Sequence, residues 1–205
     1  IISENLGFVD QALHYCDHCG FGQLENIIEP EILYNDTYKT RTTGSSAMGA
    51  IDVFLNFVDN NLEKRPINNI VEIGCNDTYT LSKLKNRAKN LYGIDPILKG
   101  REKEFENENI TTFGDFFENV NLDEIGNNLD VVLSSHTLEH ISDPKALVNK
   151  VLNNADSETQ FFFQFPGLEL LIDNARFDQI HHQHYNYFTV DSVIYMLNAV
   201  GAELV

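Results

Sequence analysis

The chain is 205 residues long and carries 14 Lys and Arg against 31 Asp and Glu, a formal charge of -17. That length fits one main domain with a small appendage, and that charge repels polyanions, which argues against nucleic acid as a partner. No apolar run approaches the roughly 20 residues that cross a bilayer, and a hydrophobic share of 42% suffices for a packed core.

The first 45 residues lack a sustained period. They hold His14-Tyr15-Cys16-Asp17-His18-Cys19-Gly20 and a scatter of Tyr34, Tyr38 and Thr residues, a pattern of short strands, turns or a docked arm. From Ser45 onward the signals are clear. Ala47, Met48, Ile51, Phe54, Leu55, Val58 and Leu62 recur at helical spacing, and Pro66 follows. Short apolar runs then alternate with helical or polar stretches: strands are expected over 70–74, 91–95, 110–113, 131–134 and 160–165. Helices are expected over 81–85, 102–107 and 144–152, the last capped by Ser142. A final helix is expected over 190–200, with Thr189 as cap and Gly201 as stop. Residues 202–205 read as the start of a further strand, leaving a sheet that finishes early or a piece of a longer chain. The alternation predicts an α/β fold: a Rossmann-like three-layer sandwich with a mainly parallel sheet, behind a small irregular N-terminal segment.

In such a sheet ligands bind beyond the carboxyl ends of the strands. Those ends are unusually polar here. The first is Glu72-Ile73-Gly74-Cys75-Asn76-Asp77, where Gly74 permits close approach to the backbone. The second is Gly93-Ile94-Asp95-Pro96, and Asp95, about 20 residues past the glycine turn, can accept both hydroxyl protons of a ribose. The third, Gly114-Asp115-Phe116, sets a polar group beside an aromatic face, as an adenine requires. The fourth is Ser134-Ser135-His136-Thr137-Leu138-Glu139-His140. The Gly-x-Gly-x-x-Gly of a pyrophosphate cradle is missing, so a nucleoside without phosphates fits better than a dinucleotide.

As a set these segments resemble the cofactor motifs of class I S-adenosylmethionine (SAM)-dependent methyltransferases, over about Ser45 to Val205. Within that superfamily the chain is most similar to the sugar C-methyltransferase branch, through Cys16 to Gly20, Glu72 to Thr78, and His181-His182-Gln183-His184-Tyr185-Asn186-Tyr187-Phe188. The resemblance implies two parts, an N-terminal arm or degenerate zinc-ribbon-like module over 1–44 and a SAM-binding domain over 45–205. It implies that Gly74 and Asn76 serve the methionine portion, Asp95 the ribose, Asp115 and Phe116 the adenine, and Ser135 with His136 the floor near the sulfonium, with Glu72 and Pro96 as further cofactor-binding residues. Thr78, His181 and Gln183 depart from the branch pattern, which has Gly, Tyr and Glu there.

His181, His182, His184 and Tyr185 can each move protons or bind metal. His184 is expected to be the base that takes the acceptor proton, with His182 and Gln183 orienting the acceptor. Competing readings are a structural loop of hydrogen-bonded histidines and a metal site that adds His136 and His140; no metal ligand is assigned. Cys16 and Cys19 form half of a ribbon-type zinc site. With only His14 and His18 nearby, zinc is possible there but not favoured. Three cysteines that cannot all pair, with no signal pattern, are expected of a cytoplasmic protein without membrane partners. The resulting expectation is a SAM-dependent methyltransferase on a small, sugar-derived or nucleotide-linked acceptor, suited to surface-polysaccharide biosynthesis, with a local cation such as Arg176 meeting any phosphate. The alternatives are an O- or N-methyltransferase on another small molecule, an inactive SAM-binding subunit, and a metal-dependent hydrolase.

Overall fold

The computed structural model describes residues 10–34, 38, 41–63, 65–125 and 129–205. The elements are, in chain order, β1 (Leu13–Tyr15), β2 (Gly22–Leu24), α1 (Pro30–Leu33), α2 (Ser45–Asn61), β3 (Asn69–Ile73), α3 (Tyr79–Lys83), β4 (Asn90–Ile94), β5 (Ile110–Phe113), β6 (Val131–Ser135), α4 (Pro144–Leu152), β7 (Gln160–Gln164), α5 (Leu168–Asp173), β8 (Asn186–Tyr187) and α6 (Val190–Val200). The five expected strands pair in parallel throughout, in the order β5-β4-β3-β6-β7. The chain therefore steps outward from β3 to β5 and returns to the other side of β3, and a crevice opens at the reversal between β3 and β6.

Both faces of the sheet are covered, which is why its strands read as continuous apolar runs. Along β3, Ile70 packs with Ile51, Phe54, Leu55 and Val58 of α2, while Val71 and Ile73 face the opposite core with Leu147, Val148 and Val151 of α4 and Val193 and Leu197 of α6. The α2 residues recur at i, i+3, i+4 and i+7, the spacing that buries one helical stripe.

Some local expectations change. The expected 102–107 helix shrinks to the single 3-10 turn Glu102–Glu104. A six-residue segment recovers too few hydrogen bonds to offset nucleation, and its charges pair at i,i+3 instead, Arg101 with Glu104 and Lys103 with Glu106. The cap of α4 is Asp143, whose carboxylate accepts the Ala146 N–H at 2.9 Å, in place of Ser142. Thr189 and Ser192 form a reciprocal capping box on α6. At its other end Gly201 donates to the Asn198 carbonyl and Ala202 to that of Leu197. This Schellman closure consumes the first N–H of the expected 202–205 strand, and no strand forms there.

The N-terminal segment is less irregular than expected. β1 and β2 make an antiparallel hairpin, and β2 continues onto β8, with Gly22 opposite Tyr187 and Gln23 opposite Asn186. Tyr185 is fully buried, its hydroxyl donating to the Ile28 carbonyl at 2.7 Å, and burial pushes its pKa up to about 12. It is a structural anchor and not a proton carrier. Cys16 and Cys19 lie on the turn between β1 and β2 as free thiols. No helix among the described residues is long and apolar enough to cross a membrane.

The amino end of the sheet is pinned by Asp130, which is 8% exposed. One oxygen accepts the Asn68 and Asn69 N–H groups at 2.8 and 2.9 Å, and the other accepts Arg65 Nη1 at 2.7 Å. Burial alone would raise this carboxyl, but the Asn69 amide, Arg65 and the Asn68 amide outweigh it and hold it below the usual range. Its contribution is thus present above the unfolded-state pKa and lost as pH falls through the depressed folded value. Asp130→Ala is expected to cost about 3 kcal/mol in urea denaturation, by stranding Arg65 and two amides, while SAM affinity stays within about twofold.

Candidate active site

The loops after β3, β4, β5 and β6 enclose a cavity of about 680 Å³, a size suited to a cofactor and a small acceptor together. Gly74 follows β3 at φ +77°, and the next residues Asn76 and Thr78 are also left-handed, at φ +48° and +58°. His136 after β6 has φ +51°. Strained backbone is thus concentrated on both sides of the sheet's reversal, a frequent property of ligand-gripping loops.

Asp95 closes β4 and joins two of these loops: one carboxylate oxygen accepts the Asn76 N–H at 2.8 Å and the other the Ile97 N–H at 3.0 Å. Burial raises its pKa, against the pull of those amides and of the Arg41 and His140 charges. The side chain stands in the cavity wall with Gly74, Asn76, Pro96, Phe116, Ser135, His136, Gln183 and His184. Nine of the twelve residues expected from the sequence therefore meet in one space.

The other three lie outside the wall. Glu72 is 2% exposed on the α2 side of β3, and burial pushes its pKa up to about 8, so its carboxyl is largely neutral at pH 7. Asp115 folds back on its own turn, its Oδ1 accepting the Phe116 N–H and Asn119 Nδ2, both at 2.8 Å. His182 does not reach the cavity. Arg176, expected as a phosphate partner, forks onto Asp178 at 2.8 Å on the surface. The arginine that lines the cavity is instead Arg41.

Arg41 belongs to an arm that sequence periodicity did not resolve. Thr42 donates its N–H to Asn76 Oδ1 at 3.3 Å, and Thr43 donates both N–H and hydroxyl to Asp77, at 3.1 and 2.9 Å. The arm is thereby laid over the β3 loop, and Tyr34, Tyr38, Arg41 and Thr42 form part of the wall. The sequence feature that points to the arm is the polar pair Asn76-Asp77, which accepts these bonds.

The other half of the cavity is histidine-rich. Two segments, 136–141 and 179–187, are clamped together: Tyr185 N donates to the Glu139 carbonyl at 2.7 Å, and buried Asn186 donates to the Leu138 and Ile141 carbonyls at 3.1 and 2.6 Å. His140 Nδ1 faces the Gln183 carbonyl at 2.6 Å and His184 Nδ1 the Gln179 carbonyl at 3.1 Å. A carbonyl only accepts, so both imidazoles carry a hydrogen on Nδ1, which leaves Nε2 as the nitrogen free of these two bonds. Their ring centroids are 4.8 Å apart, and those of His181 and His184 are 4.0 Å apart. Burial, reinforced by the His140 charge, lowers His184 to about 4, so its ring is neutral at pH 7. Glu139 is 2% exposed and meets His136 Nδ1 at 3.3 Å.

Residues 49–205 match the family described as methyltransferase domain. The chain belongs to that family. It is similar to C-methyltransferase NovU of Streptomyces niveus, 24% identical over 196 residues that cover 93% of this chain and 46% of the relative. The chain thus spans about half the length of that curated relative. Among solved structures it resembles the plantazolicin methyltransferase BpumL in complex with SAH, with TM-score 0.56, 18% identity, and coverage of 73% of this chain and 61% of that one. It also resembles the N-methyltransferase NodS from Bradyrhizobium japonicum WM9 in complex with S-adenosylhomocysteine, with TM-score 0.54, 14% identity and coverage of 77% and 76%. These likenesses bear out the Rossmann-like fold. The family's methyl donor, SAM, also fits the donor set of the methyltransferase domain. A near-buried carboxylate at the β4 end suits a ribose diol, and Phe116, Ile97 and Gly74 line the same cavity.

Proposed function

We propose that the chain catalyses methyl transfer from SAM to a small, hydroxyl-bearing acceptor, of the sugar-derived or nucleotide-linked kind. The observation that carries this reading is the division of one cavity into a nucleoside half around Asp95 and Phe116 and a histidine half around His140 and His184. When bound, SAM supplies a methyl group on a sulfonium, open to displacement. Asp95 holds the ribose, Gly74 and Asn76 face the tail, and Ser135 and His136 floor the space between the halves. Catalysis then rests mainly on alignment of the acceptor behind the methyl.

The buried His184 is neutral at pH 7 and offers Nε2 as an acceptor. We assign it to hold and orient the acceptor oxygen together with His140 and to take the proton that leaves as the methyl arrives, the role expected from sequence. Gln183 meets His140 Nδ1 with its backbone carbonyl and lines the cavity beside it, which leaves its side-chain amide to help orient the acceptor. The name of the Streptomyces relative supports carbon as the methylated atom, and Arg41 in the wall supports an acceptor that carries a phosphate. A role in surface-polysaccharide biosynthesis would follow from such an acceptor.

His184→Ala is expected to reduce turnover of a sugar-nucleotide acceptor at least about 100-fold while SAM affinity, read by calorimetry, changes less than about threefold. Turnover close to wild type would remove His184 from the acceptor contact.

A further inference from the structure

Glu139, His140 and His184 each offer one ligand atom, and these atoms all lie within 4.8 Å of one another. The three side chains come from two segments locked by the Tyr185 and Asn186 hydrogen bonds, so their convergence is built into the fold. With both Nδ1 atoms engaged by backbone carbonyls, Nε2 is the nitrogen that each imidazole has left for a ligand. That is the outer-shell arrangement that fixes tautomer and ring orientation in metal-binding histidines.

Glu139 adds a second, independent observation. One carboxylate oxygen meets His136, while Oε2 is buried and lacks a hydrogen-bond partner among the described residues. A buried carboxylate oxygen without a donor is costly, and neither histidine of the cluster donates to this one. Such a set calls for a cation.

We propose that Glu139, His140 and His184 bind a divalent first-row transition-metal ion of the zinc class, with its open coordination positions directed at the cavity. Two imidazoles and one carboxylate suit Zn(II) and its neighbours, and poorly suit Mg(II) or Ca(II), which want mostly oxygen. Ligand atoms around a zinc-sized ion stand about 3.4 Å apart, so small side-chain rotations from the present spacing close the site. Resting on the proposed acceptor site, the inference makes the histidine contact to the acceptor oxygen run through the ion.

The test uses the full chain, stripped with a chelator, dialysed and titrated with Zn(II) by calorimetry, with metal analysis of the product. One ion per chain is expected, with affinity reduced at least about 100-fold in Glu139→Gln and His184→Ala and unchanged in the double variant Cys16→Ala/Cys19→Ala. Loading with Co(II) should give visible absorption that Glu139→Gln abolishes, a readout independent of activity and informative even where affinity is hard to fit. Binding lost only in the cysteine double variant, or unaffected by Glu139→Gln, would overturn the proposal. Calorimetry with SAH in the same stripped protein separates the two readings. Heat with SAH but none with Zn(II) defeats the metal site alone; Zn(II) binding without SAH binding leaves the metal site standing and counts against the methyl-transfer reading.

Discussion

Asp95→Asn is expected to weaken SAM and SAH binding equally, by about 100-fold or more. A carboxylate that accepts two hydroxyl protons contributes through two charge-assisted hydrogen bonds, each worth about 1.5–3 kcal/mol when fully desolvated. The amide loses the charge and points an NH2 at one of the two backbone N–H groups, of Asn76 or of Ile97, that the carboxylate accepts. Because the ribose is common to substrate and product, the effect must be the same for both in calorimetry. A loss confined to SAM would move Asp95 away from the ribose and toward the sulfonium.

The second large effect is expected from Gly74→Ala. The backbone there is left-handed, which costs an L-residue about 1–2 kcal/mol. An added Cβ would also stand 2.7 Å from Thr137 Cγ2 and 2.9 Å from its Cβ, in the loop that carries His136. Together these should lower stability by about 3 kcal/mol and the melting temperature by about 10 °C. Nucleoside binding should fall further, because the β3 and β6 loops are pushed apart across the crevice. Adding Thr137→Ala removes Oγ1 and Cγ2, the two nearest atoms, and is expected to recover part of the loss, leaving the Cβ contact and the backbone share. No recovery would mean that φ alone accounts for the glycine.

The contrast between these two residues and others in the site shows what the sequence made legible. Gly74 and Asp95 were readable because each sits at the end of a buried strand, and a parallel strand announces itself as an apolar run with a polar stop. Phe116, Ser135 and His136 followed from the same rule. Asp115 failed it in part, since a short polar side chain in a turn can bond its own backbone, and this one does. Glu72 illustrates a different limit: alternation along β3 sends it to the opposite face from Ile73, under α2. Its place in the motif string says nothing of that.

What escaped the sequence is mostly tertiary. β1, β2 and β8 are three, three and two residues long, too short to show a period, and β2 pairs with β8 across more than 160 residues of chain. The roof formed by Tyr34, Tyr38, Arg41 and Thr42 depends on hydrogen bonds to Asn76 and Asp77 that no local pattern encodes. The histidine half was visible as a cluster of side chains, but its chemistry was not. Burial and two backbone carbonyls, of Gln179 and Gln183, decide which nitrogen of His184 and His140 carries the hydrogen. With that settled, the nitrogen that His184 can offer to a proton or a ligand is Nε2.

The central claim is that the ends of four neighbouring strands bind the nucleoside of SAM. Calorimetric titration of the unmodified chain with SAH tests it most directly. The account predicts saturable binding of one molecule per chain with micromolar affinity, on the order of -8 kcal/mol, and competition by SAM for the same site. Absence of heat with both ligands, or binding that persists unchanged in Asp95→Asn, would contradict it.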